Sequence, residues 1–229
     1  MERELRTEAA STMRTLVCFA LKEEAGAFRK IAAGKSDVFI LIVGIGRANA
    51  ERSIREFLTA NSPDLVLTCG FAGGLNPDLK IGDVAFDIPI EKQSEPPYVG
   101  YCEKLMAAGA KPAKFFCADR IATTVAEKQK VRAATGADVV EMESAAIQAV
   151  CAGRNIPCVT VRVISDTAHE DLPLDFNALA KPDKSIDFGK LAWAIARSPG
   201  KIGALMALQK KTNFAAGQLA AVLQKIISA

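Results

Sequence analysis

Short apolar runs that alternate with helix-like stretches constrain this chain more than any other feature. Val38 to Val43, Asp64 to Cys69 and Cys158 to Ile164 read as strands, while Lys22 to about Ala32 and Arg47 to about Ala60 read as helices. Continuously apolar strands of this kind are typical of a sheet that is covered on both faces. We therefore predict an α/β fold in three layers, with a twisted, mostly parallel or mixed central sheet flanked by helices.

Further segments extend the same alternation. Strands are predicted at Thr15 to Leu21, Gly82 to Ile90, Lys114 to Ala118 and Val139 to Met142, and helices at Tyr101 to Ala108, Val125 to Thr135, Glu143 to Arg154, Ser185 to Arg197 and Gly203 to Ser228. The lysines of the helix from Val125 are expected on its solvent face, and Gly136 is a plausible cap. The last two helices are expected to cover the sheet. The chain is thus interpreted as a flexible extension over residues 1–13 and a single domain over residues 14–229.

Composition narrows the function classes. The chain has 229 residues, of which half are hydrophobic, and its net charge is only +3, with no basic block that would indicate nucleic-acid binding. There is no run long enough for a membrane span and no signal-peptide pattern, so we expect no membrane insertion. Six cysteines lie mostly in apolar runs without a CxxC pair, which fits a reducing cytosol. The single His169 argues against a histidine-based metal site, so neither a metal nor another cofactor is expected.

Acidic residues follow two of the predicted strands. The run from Val139 ends in Glu141-Met142-Glu143, and the run from Cys158 ends in Ser165-Asp166. We expect Glu143 and Asp166 at the mouths of neighbouring strands, where ligands bind in open α/β sheets. The simpler alternatives are that the two glutamates are helix N-terminal acids and that Asp166 is a cap.

Arg162 lies inside an apolar run and requires a partner, because a buried unpaired charge is costly. Glu141 is the nearest candidate if the two strands are adjacent. Our hypothesis is therefore that Glu141 is structural and that Glu143 faces the ligand. The reverse assignment would pair Arg162 with Glu143 and leave Glu141 in the cleft.

Two glycine-rich segments follow strands. Gly70 to Gly74 reads as a tight turn or as a place where a ligand approaches the backbone. Gly44 to Asn49 resembles a dinucleotide fingerprint, but Asn49 occupies the third glycine position and the motif follows the second strand, so this signal is weak. A helix that begins beside Gly46 and Arg47 could still hold an anion such as phosphate. Glu24, at the start of the first helix, reads on local grounds alone as a solvated residue.

Taken together and in order, six motifs resemble the nucleoside phosphorylase superfamily, in its branch of methylthioadenosine/S-adenosylhomocysteine nucleosidases. The motifs are Ala20-Leu21-Lys22-Glu23-Glu24, Gly44-Ile45-Gly46-Arg47, Gly70-Phe71-Ala72-Gly73-Gly74-Leu75, Lys80-Ile81-Gly82-Asp83-Val84, Val140-Glu141-Met142-Glu143 and Arg162-Val163-Ile164-Ser165-Asp166. The part from Asp119-Arg120-Ile121-Ala122 to Ser198-Pro199-Gly200 is similar to hopanoid-associated (adenosylhopane) phosphorylases. This resemblance implies the nucleoside phosphorylase fold and a homodimer whose active site lies near the interface.

The resemblance also implies roles for single residues. Asp166 would protonate purine N7, Glu143 would bind the ribose hydroxyls, and Glu24 would position or deprotonate the nucleophile. The further positions that the resemblance implies for substrate binding are Met142, Phe71, Ala72, Gly73, Ile121 and Ser165, and the candidate phosphate-binding positions are Gly46 and Arg47. A protonated carboxyl that donates to N7 and accepts from the 6-amino group would prefer adenine to 6-oxopurines, and it would make the base a neutral leaving group.

We therefore expect cleavage of the N-glycosidic bond of a 5′-modified adenine nucleoside, with release of adenine. Water or phosphate is the nucleophile: Glu24 favours water, and Arg47 favours phosphate. Two features differ from the family pattern, since Phe71 replaces a small residue and the segment from Glu91 to Ala113 looks shorter, which would suit a bulky or apolar 5′ group. The alternatives are a catalytically silent nucleoside sensor of the same fold and, on Gly44 to Asn49, an NAD(P)-dependent oxidoreductase.

Overall fold

A central sheet of eight strands organises the protein. The computed structural model describes residues 13–88, 92, 94–179, 181 and 199–227. The strands are β1 (Thr15–Phe19), β2 (Val38–Ile42), β3 (Leu65–Gly74), β4 (Val84–Asp87), β5 (Lys111–Pro112), β6 (Phe115–Cys117), β7 (Val139–Glu141) and β8 (Cys158–Asp166). The helices are α1 (Lys22–Ala32), α2 (Arg47–Ala60), α3 (Tyr98–Ala107), α4 (Val125–Thr135), α5 (Ser144–Ala152), α6 (Phe176–Leu179) and α7 (Ile202–Ile227).

The strands follow the order β2-β1-β3-β8-β4-β5, and β7 joins the end of β3 to β6. Pairings of β1 with β2, β1 with β3, β3 with β8, β4 with β5, and β6 with β7 are parallel, whereas β7 is antiparallel to β3 and β4 is antiparallel to β8. The predicted mixed, mostly parallel sheet is confirmed. The expectation that β7 and β8 are neighbours is wrong, because β3 pairs with both of them.

Helices cover both faces of the sheet, as predicted. On one face, Phe28 of α1, Leu105 of α3 and Leu219 of α7 belong to one buried apolar cluster with side chains of the central strands. On the other face, Ile54 of α2 and Ile147 of α5 form a second buried cluster. The sheet is therefore the middle layer of three, and its strands are apolar on both faces because both faces are covered.

Two strands extend beyond their predicted ends. β3 continues through Gly74, so of the two interpretations of Gly70 to Gly74 the tight turn is wrong, and β8 continues through Asp166. Their register shifts by one residue near these ends: Ala72 pairs with Ile164 and Gly73 pairs with Asp166, which leaves Ser165 as a β-bulge. Small residues allow this close and irregular pairing, since they leave room for the facing backbone.

Helices α1, α2 and α4 have the predicted bounds, and Gly136 caps α4 with a left-handed φ of 65°. α3 begins at Tyr98, three residues before the predicted Tyr101. The predicted helix from Ser185 to Arg197 and nearly all of the predicted extension over residues 1–13 lie outside the described residues. None of the helices that the structure describes has the length and apolar character that crossing a membrane requires.

Candidate active site

A cavity of about 220 Å³ opens at the carboxyl ends of β1, β3, β7 and β8. It brings together segments that are up to about 190 residues apart in the chain. Its lining consists of Ala20, Leu21, Glu24, Ile45, Phe71, Ala72, Gly73, Arg120, Ile121, Ala122, Val140, Glu141, Met142, Glu143, Ser165, Asp166, Leu172, Phe176, Leu208 and Thr212. All nine residues predicted for catalysis and substrate binding are in this set, whereas the predicted phosphate ligands Gly46 and Arg47 are not.

The guanidinium of Arg162 organises the carboxylates at the base of the cavity. It is 1% exposed, and its Nη2 lies 2.7 Å from Glu141 Oε2 and 3.3 Å from Glu143 Oε2. Nη1 donates to the Cys69 carbonyl over 3.1 Å. Burial acts to lower the pKa of Arg162, but Glu141, Glu143 and Glu24 together raise it above its usual value. The predicted pairing with Glu141 is observed, and Glu143 shares the same cation.

Glu141 is the structural member of the pair. Its carboxylate accepts from the backbone N–H groups of Glu143 and Ser144 over 2.9 and 2.8 Å, and from the Ser144 hydroxyl over 2.6 Å. Burial acts to raise the pKa of Glu141, but Arg162 and the Ser144 hydroxyl outweigh burial and the pKa is lowered. Glu141 is therefore an ionised acid that satisfies the free N–H groups at the start of α5.

The surroundings of Glu143 stabilise its negative charge less than those of Glu141 do. Glu143 Oε1 accepts from the backbone N–H of Gly46 over 2.8 Å, and Glu143 Oε2 faces Arg162. Burial, together with the charges of Glu141 and Glu24, raises the pKa of Glu143 to about 7 against the opposing effects of Arg162 and the Gly46 N–H. Glu141 and Glu143 both pair with this guanidinium, and Glu24 adds a third carboxyl group nearby, so Glu143 gains a proton readily near neutral pH.

Glu24 is buried, although local sequence features predicted a solvated residue, so that interpretation is wrong. Its Oε1 accepts from the backbone N–H of Phe71 over 2.8 Å, and its Oε2 accepts from the N–H of Leu21 over 2.9 Å. Burial raises the pKa of Glu24, partly against Arg162 and these backbone donors. Gly70 makes this packing feasible at a φ of +145°, because a Cβ there would lie 2.7 Å from both Glu24 Oε1 and Arg162 Nη1.

Asp166, at the end of β8, is held at both oxygens. The Ser165 hydroxyl donates to Oδ1 over 2.8 Å, and the ammonium of Lys128 lies 2.6 Å from Oδ2. The prediction that the lysines of α4 face solvent is therefore wrong for Lys128, which is only 1% exposed. The sequence does contain a pattern that predicts burial of Lys128. This lysine lies three residues after Val125 and three before Val131, on the face of the helix that carries these valines.

Arg47 lies outside the cavity lining and is half exposed. Its Nη2 donates to the Cys117 carbonyl over 2.7 Å, and its Nε lies 3.3 Å from Asp119 Oδ1. The neighbouring N–H of Gly46 is used by Glu143. The anion-binding arrangement predicted for this helix N-terminus thus serves a carboxylate of the protein itself.

The outer part of the cavity is mostly apolar and was largely missed by sequence reasoning. It is formed by Leu172 and Phe176, which follow β8, and by Leu208 and Thr212 of α7, together with Arg120. Apart from Arg120, these positions carry no local motif, because only packing of the late segments brings them to the site. Within the described part of the chain, no group of three or more His, Cys, Asp or Glu residues is arranged to hold a metal ion.

Comparisons with known proteins identify the family of this chain. The sequence profile of the phosphorylase superfamily matches residues 1–86 and 104–197. A 5′-methylthioadenosine/S-adenosylhomocysteine nucleosidase from Staphylococcus aureus is 28% identical over 168 residues, which cover 62% of this chain and 74% of that enzyme.

Solved structures share the fold at lower sequence identity. Futalosine hydrolase of Helicobacter pylori superimposes with a TM-score of 0.68 at 17% identity, covering 95% of this chain and 98% of that one. A 5′-methylthioadenosine/S-adenosylhomocysteine nucleosidase of Colwellia psychrerythraea in complex with adenine gives a TM-score of 0.66 at 20% identity, with 95% of each chain covered. The chain belongs to the phosphorylase superfamily, and it is an enzyme of the kind that cleaves glycosidic bonds.

Proposed function

We propose that this enzyme hydrolyses the N-glycosidic bond of a 5′-modified adenine nucleoside and releases adenine. The observation that carries the proposal is the grouping, in one cavity, of three carboxyl groups in different environments, beside the structural Glu141. Glu24 and Glu143 lie around Arg162, and Asp166 lies beside Lys128. Such a set suits a reaction that needs a base, a charge stabiliser and an acid at the same time.

In the proposed reaction, Asp166 transfers a proton to purine N7 while the bond between C1′ and N9 breaks. The electron pair of that bond stays with the purine, which leaves as neutral adenine. The ribose gains oxocarbenium character, as in the hydrolysis of O-glycosides. An ionised Glu143 that accepts from the ribose hydroxyls would orient the sugar and stabilise its positive charge.

Water completes the proposed reaction by adding to C1′, and Glu24 takes the proton that the water loses. A raised pKa makes the Glu24 carboxylate a better proton acceptor than an ordinary surface glutamate. After one turnover Glu24 carries a proton and Asp166 lacks one, so exchange with solvent restores both groups. Asp166 acts as the acid and Glu24 as the base, and Glu143 acts through its charge.

Three features favour water over phosphate as the nucleophile. The Gly46 N–H is already bonded to Glu143. Arg47 is directed to the Cys117 carbonyl and Asp119, outside the cavity lining. A phosphate dianion near Glu24 would also lie against the carboxylates that share Arg162, and like charges at such distances repel strongly in a buried site.

The apolar outer part of the cavity supports an apolar 5′ substituent. Leu172, Phe176 and Leu208 offer it carbon surface. A long hydrocarbon substituent, as the resemblance to hopanoid-associated phosphorylases implies, would fit this end better than a polar one. A homodimer is a further proposal that rests on the family resemblance, and a cytoplasmic location is one that rests on the six cysteines without a CxxC pair.

The deciding experiment measures adenine release from 5′-methylthioadenosine and from adenosine with an apolar 5′-alkylthio chain, with and without phosphate. We expect release without phosphate, free 5-substituted ribose as the second product, and faster turnover of the longer chain. Strict dependence on phosphate, with a sugar 1-phosphate as product, would exclude hydrolysis. Tight binding of both nucleosides with no release under either condition would instead indicate a nucleoside sensor.

A further inference from the structure

Lys128 is a buried cation that the proposed reaction does not yet use. Its side chain is 1% exposed, and its ammonium has three N–H groups. One is directed to Asp166 Oδ2 over 2.6 Å, and the others donate to the carbonyls of Thr167 over 2.7 Å and Glu170 over 2.9 Å. Every N–H of this ammonium therefore has an acceptor.

Burying a lysine this deeply is expensive unless its charge is compensated. An apolar residue on the inner face of α4 would cover the loop after β8 at lower cost. The compensating charge is the carboxylate of Asp166, which carries this charge between turnovers and takes up a proton from solvent before it acts as the acid. Lys128 thus places a positive charge beside the carboxyl group of Asp166, which gives its proton in the proposed reaction.

We propose that Lys128 is the positioning residue of Asp166 and stabilises the carboxylate that forms when Asp166 gives its proton to the purine. This inference rests on the proposed function. With Ser165 bonded to Oδ1 and Lys128 to Oδ2, the plane of the carboxyl group is fixed by two donors. As the proton moves from the carboxyl group to N7 and the glycosidic electron pair moves to the purine, the new negative charge lies against the ammonium. Lys128 keeps its own protons throughout the step.

Two other charged groups near this part of the cavity, Glu170 and Arg120, pair with residues other than Asp166. The carboxylate of Glu170 accepts from the backbone N–H of Thr167 over 2.9 Å and pairs with Lys211 of α7, so it has its own cation. Arg120 lines the same cavity but pairs with Glu127 over 2.5 Å. A purely structural role for Lys128, as a tie between α4 and the loop, is the alternative that the experiment must separate.

The experiment compares adenine with 9-deazaadenine, whose ring N–H occupies the position of N7. This N–H imitates the purine after proton transfer and needs the Asp166 carboxylate as its acceptor. Dissociation constants are measured by calorimetry for the unmodified protein, Lys128→Met, Lys128→Gln and Lys128→Arg. Lys130→Met is the matched control, because Lys130 is an exposed lysine on the same helix. Turnover of 5′-methylthioadenosine and thermal unfolding are measured for each variant.

The unmodified protein should prefer 9-deazaadenine, and the two neutral variants should reduce that preference about tenfold or more, as expected for a charge-assisted hydrogen bond. Their kcat should fall at least about tenfold while KM changes less than about threefold. Lys128→Arg should retain most of the preference, and Lys130→Met all of it. Lys128→Gln keeps donors for the two carbonyls, so it reports on the charge even if Lys128→Met does not fold.

An unchanged preference and an unchanged kcat in a folded neutral variant would overturn the role of Lys128. A fall in the affinity for both purines alike, with a lower unfolding temperature, would show the structural alternative instead. Failure of the proposed function looks different: the unmodified protein would then show no preference for 9-deazaadenine, and Asp166→Asn would change neither affinity.

Discussion

The backbone N–H of Gly46 donates to Oε1 of Glu143 over 2.8 Å. This bond joins the start of α2 to the carboxylate proposed to bind ribose, across nearly a hundred residues of sequence. A helix N-terminus favours negative charge, and here the protein supplies that charge itself. The motif from Gly44 to Arg47 thus supports Glu143, a carboxylate of the protein itself.

Glu24→Gln should abolish most turnover without abolishing binding. The amide cannot accept a proton from water, so we expect kcat for 5′-methylthioadenosine to fall about 10²- to 10⁴-fold. Adenine affinity should change less than about threefold, since the base contact is assigned to other residues. Glu23→Gln is the matched control, because Glu23 is the exposed neighbour on α1. Equal turnover in the two variants would remove Glu24 from the reaction.

Activity should rise with pH through neutrality because two buried acids must ionise. Glu143, with a pKa of about 7, and Glu24, with a raised pKa, are both proposed to act as carboxylates. The logarithm of kcat/KM should therefore climb with a slope that approaches about 2 on the acid side, and Glu143→Gln should reduce that slope to about 1. The exposed Glu103→Gln variant should keep the original profile. A slope that Glu143→Gln leaves unchanged would contradict this account.

Stability should fall with pH over the range in which Glu143 ionises. A raised pKa means that the folded state holds the proton more tightly than the unfolded chain, whose glutamate pKa is about 4.3. The stabilisation from the protonated form is full below about pH 4 and is lost as the pH rises through about 7. Urea unfolding near pH 8 should therefore find Glu143→Gln more stable than the unmodified protein by up to about 3 kcal/mol.

Glu141→Gln provides the control of opposite sign for that measurement. The pKa of Glu141 is lowered, so its ionised form stabilises the fold at neutral pH, and the stabilisation is lost only as the pH falls through that pKa. The amide would leave Arg162 with a weaker partner and remove a charge from the start of α5. We expect a loss of about 3 kcal/mol or more near pH 8, which is typical for one partner of a buried ion pair. Changes of equal sign in the two variants would contradict the assignment.

Gly70→Ala should damage the fold and the site together. A methyl group at this position would lie 2.7 Å from Glu24 Oε1 and from Arg162 Nη1, at a φ that L residues rarely adopt. We expect the free energy of unfolding to fall by about 2 kcal/mol or more and kcat to fall with it. Gly100→Ala is the comparison, because Gly100 lies in α3 with open space around it, and alanine there should stabilise by about 0.5–1 kcal/mol.

The fold was largely predictable because hydrophobic periodicity is a local property. The bounds of α1, α2 and α4 follow from their apolar faces and flanking residues, and the strands follow from continuous apolar runs. Glu143 and Asp166 were recognisable because each one follows a buried run, whereas Glu24 was assigned only through the family resemblance. What local pattern could not give was the strand order, since β3 pairs with both β7 and β8 and so separates them.

The contacts between the residues of the site were harder to predict than the identity of those residues. Arg162 reaches two glutamates at once because a guanidinium has several donors, whereas the sequence suggested a choice between them. Lys128 was assigned to solvent because lysine usually lies there, and only its tertiary partner Asp166 makes burial tolerable. Both cases depend on side chains that meet across elements far apart in the chain.

The β-bulge at Ser165 has a consequence for how the acid is supported. In a regular strand consecutive side chains point to opposite faces, so a residue and its neighbour cannot serve one pocket. Ser165 and Asp166 both line the cavity, and the serine hydroxyl donates to the adjacent carboxylate. Ser165, which is unpaired between β3 and β8, therefore supplies a hydroxyl donor to the carboxyl group of the adjacent Asp166. No additional loop is needed to bring this donor to the cavity.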